Sequence, residues 1–594
     1  MIIYHCPKCD LDIEKSECSV CKSRTEVTSL LYWCNHCNIP TYDEICPLCH
    51  TRGKYFTSDA RPVFPQERLL IEIMLGKPLA FINDSVWNGS GNRFYVNGKK
   101  IPLKVTELSD YQPTEIRKAL KQYTEQNSAN VFDAYINTWI QANSQRFHFV
   151  TTEAKEYINN YANRFSDNEE ILMFVSFSGG KDSTVVSDMV RKAVGNPSII
   201  HIFGDTTLEF PQTYEYIARF RKENRKTPVL KAVNSEQDFL SLCEIFGPPS
   251  RTLRWCCNMF KTGFISERIR GTFQNSKTKN KEEEEIEKKK KILTFYGVRR
   301  SESASRNHYE RESIGKKISK QMVASPIIDW FDHDIWLYLL TTGIDFNEAY
   351  RLGYSRVGCW CCPNNSRWSQ FLAEIYMPEQ SKSFHDILYN FAVKMGKSDP
   401  EEYVASGGWK ARQGGAGIDL SKNVAIEFKP CAADAESFSY VLNKPITEEL
   451  YEFFKPFGIL NFDMGNSRLG EVYILDAKTK QPIIKLQGRQ GLNELRITIL
   501  GRPIAKRTKT VEIELKFKCQ ITKYQLCAGC HACETVCPYN AIRLFKIGEG
   551  DTDYQYVIDE GKCEHCSACI NHYMGGCYMR RVLLPRGKGY SENE

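Results

Sequence analysis

The sequence predicts an α/β protein organised around a parallel sheet, with cysteine-rich metal-binding modules towards both ends. Three observations carry this. An apolar run, Ile171 to Val175, leads through Ser176-Phe177-Ser178-Gly179-Gly180-Lys181-Asp182-Ser183 into a stretch with apolar residues at helical spacing, Thr184 to Val190. A second short apolar run, Ser198 to Phe203, ends at Gly204-Asp205; strand, helix and strand in that order belong to a parallel sheet. The 24 cysteines gather in clusters with two-residue gaps, a metal-binding pattern in a reducing compartment and not a disulfide framework.

A chain of 594 residues with 42% hydrophobic residues has room for several domains and at least one large core. It has no run of about 18 apolar residues and does not open on a signal peptide, so a cytoplasmic protein with no membrane partner is expected. The net charge of +7 is mild; it permits a nucleic-acid partner without requiring one.

Residues 1–52 carry an internal repeat. Cys6-x2-Cys9 and Cys18-x2-Cys21 recur at a fixed offset as Cys34-x2-Cys37 and Cys46-x2-Cys49. Each pair of knuckles can close a tetrahedral four-thiolate site with no open position, which suits structural zinc. The pattern resembles a tandem zinc ribbon, implying two zinc ions; iron in their place remains an alternative. His5, His36 and His50 border the knuckles and read as bystanders. Residues 53–148 read as a small β-rich and helical module. Arg93 to Lys100 suggests a hairpin turning at Asn97-Gly98, and Thr114 to Gln141 a helix. No chemistry is assigned there; the reading is a scaffold.

Residues 149–418 hold the α/β unit. Its glycine loop aims backbone N–H groups and a helix dipole at one point, where an anion can sit. Gly179 and Gly180 let the chain approach a phosphate closely. Lys181 adds charge, and Ser178 and Ser183 add hydroxyls. The Walker pattern GxxxxGK[ST] is absent. The SGGKDS stretch instead resembles the pyrophosphate (PP) loop of the adenine nucleotide alpha-hydrolases. That resemblance implies binding of ATP by its pyrophosphate, or of a sulfonucleotide at the corresponding place.

Three further stretches resemble the phosphoadenosine phosphosulfate (PAPS) reductase family. Gly204 to Thr213 resembles its "DT-x-x-FP-x-T" phrase with one residue more before Phe210, Gly297 to Ser303 its "G-x-R-x-x-E-S", and Asp329 to Trp336 its "DW-x-x-x-D-I-W". Asp205 falls at the carboxyl end of its strand, beside the loop, where open α/β sheets bind ligands; capping the next helix is the other reading. Arg299 or Arg300 could grip a phosphate or sulfate bidentately. The resemblance implies catalytic roles for Lys181, Asp182 and Arg299. It implies nucleotide contacts from Ser176, Ser178, Gly179, Gly180, Lys181, Asp182, Ser183, Asp205 and Arg300. Asp182 either helps hold a magnesium ion or orients the loop. Asn275 to Lys291 reads as a solvated charged insertion, and the aromatics of Asp329 to Trp336 as core.

The same unit contains Cys256-Cys257 and, far along, Cys359-Trp360-Cys361-Cys362. In the adenylyl-sulfate (APS) reductase branch such a pair and a distant CxxC hold one 4Fe–4S cluster. The resemblance implies Cys256, Cys257, Cys359 and Cys362 as ligands, with Cys361 competing for the last place. Zinc or a set of redox thiols are the alternatives.

Residues 419–518 read as a β-rich domain of short alternating strands, such as Glu471 to Leu475 and Val511 to Phe517. Arg496 to Lys518 is basic and could track a phosphate backbone or form a solvated face. Residues 519–594 contain Cys527-x2-Cys530-x2-Cys533-x3-Cys537-Pro538, the bacterial ferredoxin run, then Cys563-x2-Cys566-x2-Cys569 and Cys577. In two-cluster ferredoxins the fourth cysteine of each run serves the other cluster. Carried over, Cys527, Cys530, Cys533 and Cys577 bind one 4Fe–4S cluster, and Cys563, Cys566, Cys569 and Cys537 the other.

These parts imply an adenine nucleotide site beside an iron–sulfur relay. One reading is ATP-dependent adenylation of an acceptor and transfer of sulfur to it, with a one-electron donor, a sulfur donor and RNA or DNA as candidate acceptor. Another is reduction of APS or PAPS to sulfite. A third is a redox-sensing nucleic-acid binder, which leaves the SGGKDS loop unused. Cys243, Cys361, Cys431 and Cys519 stay outside the metal sets. The reductases carry a catalytic cysteine in a C-terminal "ECG" tail; the nearest single cysteine here is Cys431, and this tilts the choice toward sulfur transfer.

Overall fold

The apolar runs of the α/β unit assemble one six-stranded sheet. The computed structural model describes residues 2–6, 9, 11–13, 19–21, 26–103, 105, 107–165, 171–234, 237–273, 291–315, 321–415, 427–430, 436–501, 510–550, 553–572 and 577–583. Strand order across the sheet is Val229–Val233, Ile200–Asp205, Ile171–Ser176, Lys291–Phe295, Gln321–Ala324, Glu312–Ile314. The first five run parallel and Glu312–Ile314 closes the edge antiparallel. Phe174, Val175, Leu293 and Phe295 are fully buried, as central parallel strands covered on both faces must be.

Helix Lys181–Val194 follows the first strand and stops at Gly195, whose φ of 65° suits the left-handed helix end. Pro211 opens helix Pro211–Glu223 after the second strand. From Ile171–Ser176 the chain winds to one side, then crosses to the other with Lys291–Phe295. The order therefore reverses at the carboxyl end of Ile171–Ser176, and ligands of such sheets bind at that switch point.

The module before this sheet shares its core. One apolar cluster runs from Leu31 and Trp33 through Trp87 and Trp139 to Met189, Leu293, Trp336 and Met377. Strands Ala60–Pro62, Val86–Gly89, Arg93–Val96 and Lys99–Lys100 form an antiparallel sheet. The single helix expected from Thr114 to Gln141 is two, Pro113–Tyr123 and Asn130–Ala142.

A second antiparallel sheet, of six strands, runs from Glu427–Pro430 to Glu494–Ile499. Val511 to Phe517, read as a strand, lies instead in helix Thr510–Leu526. Its alternation of apolar and charged residues mimics a strand. Yet Ile513, Phe517, Ile521 and Tyr524 recur every three or four residues and are all buried against that sheet with Phe454 and Phe457. The helical period gains more burial than the strand period. Cys18, the Cys6 side chain, Cys431, residues 275–290 of the charged insertion and residues 502–509 of the basic stretch lie outside the described residues. Among the described residues no helix is long and apolar enough to cross a membrane.

Candidate active site and metal centres

The glycine loop sits at the switch point and is braced from several sides. Gly179 has φ +72°, which a side chain would strain. The Ser183 hydroxyl accepts the Ser178 N–H at 3.2 Å and donates to the Gly180 carbonyl at 2.8 Å. The Lys181 N–H donates to the Tyr350 hydroxyl at 2.9 Å, and the Asn347 amide donates to the Gly179 carbonyl at 3.2 Å. Gly297 belongs to the loop after the neighbouring strand. A Cβ there would stand 2.7 Å from the Asp182 carbonyl carbon, so only glycine lets the two loops meet.

Four charged side chains converge at this point. The Lys181 ammonium lies 3.1 Å from Asp332 Oδ1 and 3.4 Å from Asp182 Oδ2. Arg299 Nε donates to Asp182, and its Nη2 donates to Asp332 Oδ1 at 2.8 Å. Lys181 and Arg299 are each 3% exposed. Burial alone would raise the Asp182 carboxyl, but Arg299 and Lys181 outweigh it and hold it at about 2. Asp332 is likewise lowered, against its burial, by Lys181 and Arg299. Burial opposes the charge on Lys181 and on Arg299, yet the carboxylates keep both above their ordinary range. The result is two fixed cations balanced by two carboxylates. An anionic ligand can take over the cations without moving the backbone.

This constellation opens into a cavity of about 430 Å³. One wall carries Lys181, Arg299, Ser301, Glu302 and Asp332; another carries Ser355, Arg356, Asn364 and Asn365. The third comes from the module read as a scaffold, with Asp59, Asn88, Ser90 and Asn92. Asp59 accepts the Asp332 N–H and the His333 N–H, both at 3.0 Å. Burial, then the charge of Asp332, pushes its carboxyl up to about 7.

Other residues named from the sequence lie elsewhere. Asp205 accepts the Thr207 N–H and the Tyr214 hydroxyl, each at 2.8 Å, and pairs with Lys231 at 2.6 Å; it does not line the cavity. Arg300 holds Asp329 and donates to the Tyr309 carbonyl at 3.0 Å. Of the two arginines, Arg299 faces the site. Sequence reasoning missed Asp59, Tyr350 and Asn347. Asp332 belongs to the Asp329 to Trp336 stretch, and its place at a helix start after a sheet strand is a usable signal.

The central thiols come together beside this cavity. Cys256 is raised by its side-chain hydrogen bond with Cys257, by burial, and by the charges of Cys257, Cys359 and Cys361; Cys362 is raised by burial and then by Cys257. The Thr206 hydroxyl lies 3.3 Å from Cys359 Sγ. Cys361 is buried in an apolar cluster with Cys243 and Trp255, whereas Cys359 and Cys362 are half-buried. The segment Cys359–Cys362 is flanked on both sides by cavity residues, Ser355 and Arg356 before it, Asn364 and Asn365 after it. Crowded, desolvated thiols of this kind fit a metal cluster, which takes thiolates and neutralises their charge.

The C-terminal thiols form two groups. Cys527 and Cys530 feel Cys533 and Cys577. Cys563 feels Cys537 and Cys566, and Cys569 feels Cys537 and Cys563 as well as Cys533. Cys537, Cys563, Cys566 and Cys569 ring one small cavity. Lys523 is buried among Cys533, Cys519, Cys569 and Cys577 and donates to the Cys569 carbonyl at 2.8 Å. The first group packs on the central thiols: Leu526, Ala528, Cys577 and Val582 share an apolar cluster with Trp255, Met259 and Cys361. The rings of Phe264 and His531 are 5.3 Å apart across the same boundary.

At the N-terminus, Sγ atoms of Cys34, Cys37, Cys46 and Cys49 lie within 4.8 Å of one another. That spacing fits one tetrahedral zinc ion.

Residues 172–365 match the phosphoadenosine phosphosulfate reductase domain, and residues 526–572 match the 4Fe-4S dicluster domain. An uncharacterized protein of Methanocaldococcus jannaschii is 28% identical over 281 residues, 47% of this chain and 61% of that protein; the chain thus spans well short of that relative's whole length. An adenosine 5'-phosphosulfate reductase of Anoxybacillus flavithermus is 26% identical over 200 residues, 33% of this chain and 73% of that enzyme. Among solved structures, a phosphoadenylyl-sulfate reductase from Candida auris in a phosphate complex is 16% identical and covers 37% of this chain and 96% of its own, with a TM-score of 0.25.

Proposed function

We propose that this chain, with a phosphoadenosine phosphosulfate reductase domain at its centre and a 4Fe-4S dicluster domain near its C-terminus, activates an acceptor with ATP and transfers sulfur to it, using electrons relayed through iron–sulfur clusters. The observation that carries the reading is the Lys181–Arg299–Asp332 constellation at the loop, one short segment away from the central thiols. An acceptor oxygen forms a bond to the α-phosphorus of ATP, and the α–β bridge breaks. Charge then grows on the departing pyrophosphate, where Lys181, Arg299 and the helix N-terminus stabilise it. A persulfide sulfur next displaces AMP. Two electrons and two protons cleave the resulting disulfide into a thiolated acceptor and a free thiol. When bound, the clusters supply those electrons singly.

Of the cysteines outside the metal sets, Cys243, Cys361 and Cys519 are buried, and Cys431 lies outside the described residues. The second reading, reduction of APS or PAPS to sulfite, is favoured by the name of the Anoxybacillus relative.

Pyrophosphate release from ATP, followed with and without RNA, DNA and small acceptors under reducing conditions, tests the reading. Acceptor-dependent release is expected. Sulfite from APS or PAPS, with no pyrophosphate from ATP under any condition, would leave the reductase.

A further inference from the structure

The third wall of the cavity comes from outside the segment that matches the reductase domain. Asp59 precedes strand Ala60–Pro62 in the N-terminal module. Its two carboxylate oxygens take the Asp332 and His333 N–H groups, one each. These are amides at the start of helix Asp332–Thr342 with no acceptor in their own helix. The Phe331 N–H is held separately, by Asp334 at 3.0 Å.

The chain of contacts leads straight to the cations. Asp332, whose amide Asp59 holds, is the carboxylate that bridges Lys181 and Arg299. The module is not free to drift from this position. Trp87 and Trp139 of the module pack round His333, and the Trp139 Nε1–H donates to His333 Nε2 at 3.1 Å. The Tyr42 hydroxyl donates to Asp334 at 2.7 Å, and Arg146 pairs with the same carboxylate at 2.9 Å. The N-terminal parts thus grip the first turn of this helix on several sides, and Asp59 is the grip that also faces the cavity.

We propose that Asp59 is a positioning residue of the nucleotide site: it fixes the first turn of helix Asp332–Thr342, and so holds the Asp332 carboxylate where it presents Lys181 and Arg299 to an anionic group. The site is therefore a composite of two modules. Asp59 touches neither cation directly; it acts through Asp332. This rests on the nucleotide reading above, and deepens it by naming the residue that couples the N-terminal module to the phosphate loop.

The test uses the full-length, cluster-loaded chain with Asp59→Ala and Asp59→Glu. Binding of ATP, APS and PAPS is titrated, and amide exchange is followed at Asp332, His333 and, as a control, Ile335, whose N–H is held inside the helix by Phe331. Asp59→Ala should weaken whichever nucleotide the wild type binds by about five- to tenfold, the equivalent of one lost helix cap. The Asp332 and His333 amides should exchange faster while Ile335 stays protected. Asp59→Glu should recover part of the affinity. Wild-type affinity in Asp59→Ala, or loss of protection at Ile335 together with zinc release, would overturn the proposal, the latter by making Asp59 a fold residue only. A wild-type chain that binds none of the three nucleotides defeats the nucleotide reading instead, and the exchange arm then decides the role of Asp59 by itself.

Discussion

Lys181 and Asp332 meet at 3.1 Å, one at the start of the helix after the glycine loop, the other at the start of the helix after strand Gln321–Ala324. The two helix starts are thereby tied across the switch point, and Arg299 closes the triangle through the same Asp332 oxygen. The carboxylate keeps both cations charged and aimed in the absence of ligand, so little reorganisation is needed when an anion arrives.

Lys181→Ala separates the two enzyme readings. If ATP is cleaved, the rate should fall by roughly a hundredfold or more, the scale of losing one donor aimed at developing charge. ATP affinity should fall less. If APS or PAPS is the substrate, the loop grips a group that stays intact, and the loss should appear mainly in affinity. Single-turnover rates and equilibrium binding, measured side by side, read the difference.

Metal content follows from the thiol groups. Anaerobically purified chain should carry about two zinc and up to about twelve iron, as two ribbon sites and three cuboidal clusters. Metal analysis of Cys257→Ser should show about four iron fewer. Iron near eight in the wild type, unchanged by that substitution, would remove the central cluster.

Cys530→Ser should abolish turnover with a reduced one-electron donor and leave nucleotide affinity nearly unchanged. The group around Cys527 and Cys530 packs on the central thiols but contributes nothing to the cavity. Normal turnover with that donor would reduce the C-terminal module to a structural part.

His333 makes the fold sensitive to mild acid. It is fully buried, accepts the Trp139 Nε1–H, and is pushed by burial down to about 4. Its ordinary value is near 6.5, so between pH 6.5 and 4 the unfolded chain binds a proton that the folded chain refuses. Stability is lost as pH falls through that window, by about 3 kcal/mol from this residue. Asp59, raised to about 7, titrates in the opposite sense over the same range, so the check is a difference: denaturant titrations at pH 7 and pH 4.5 should show the stability of His333→Gln changing less unfavourably on acidification than that of the wild type.

Much of this was legible from local pattern. Ile171 to Ser183 announces strand, loop and helix because burial on both faces and the glycine turn leave their marks within a dozen residues. The ferredoxin-type spacing proposes Cys577 as a partner of Cys527 and Cys530, and in the structure burial and then both Cys577 and Cys527 contribute to raising the Cys530 thiol. Asp59 was invisible because its partners, Asp332 and His333, are distant in sequence, and nothing near Asp59 marks a helix cap. Asp205 shows the reverse. Its place at a strand end suggested a ligand contact, but Lys231 on the adjacent strand and Tyr214 on the next helix absorb its charge. Val511 to Phe517 went astray because a stretch can satisfy two periods at once, and only its neighbours in space decide which one buries more.

The exchange of fourth ligands between the two C-terminal cysteine runs has a consequence for how the protein is made. Under the ligand sets proposed, the first cluster waits for Cys577, although its other three cysteines leave the ribosome some fifty residues earlier. The second needs Cys537 held in place until Cys569 emerges. A chain interrupted between the two runs can complete neither. Under those sets, iron incorporation at both clusters has to follow synthesis of the second cysteine run, so the cluster that packs on the central thiols is completed after the central thiols themselves are in place.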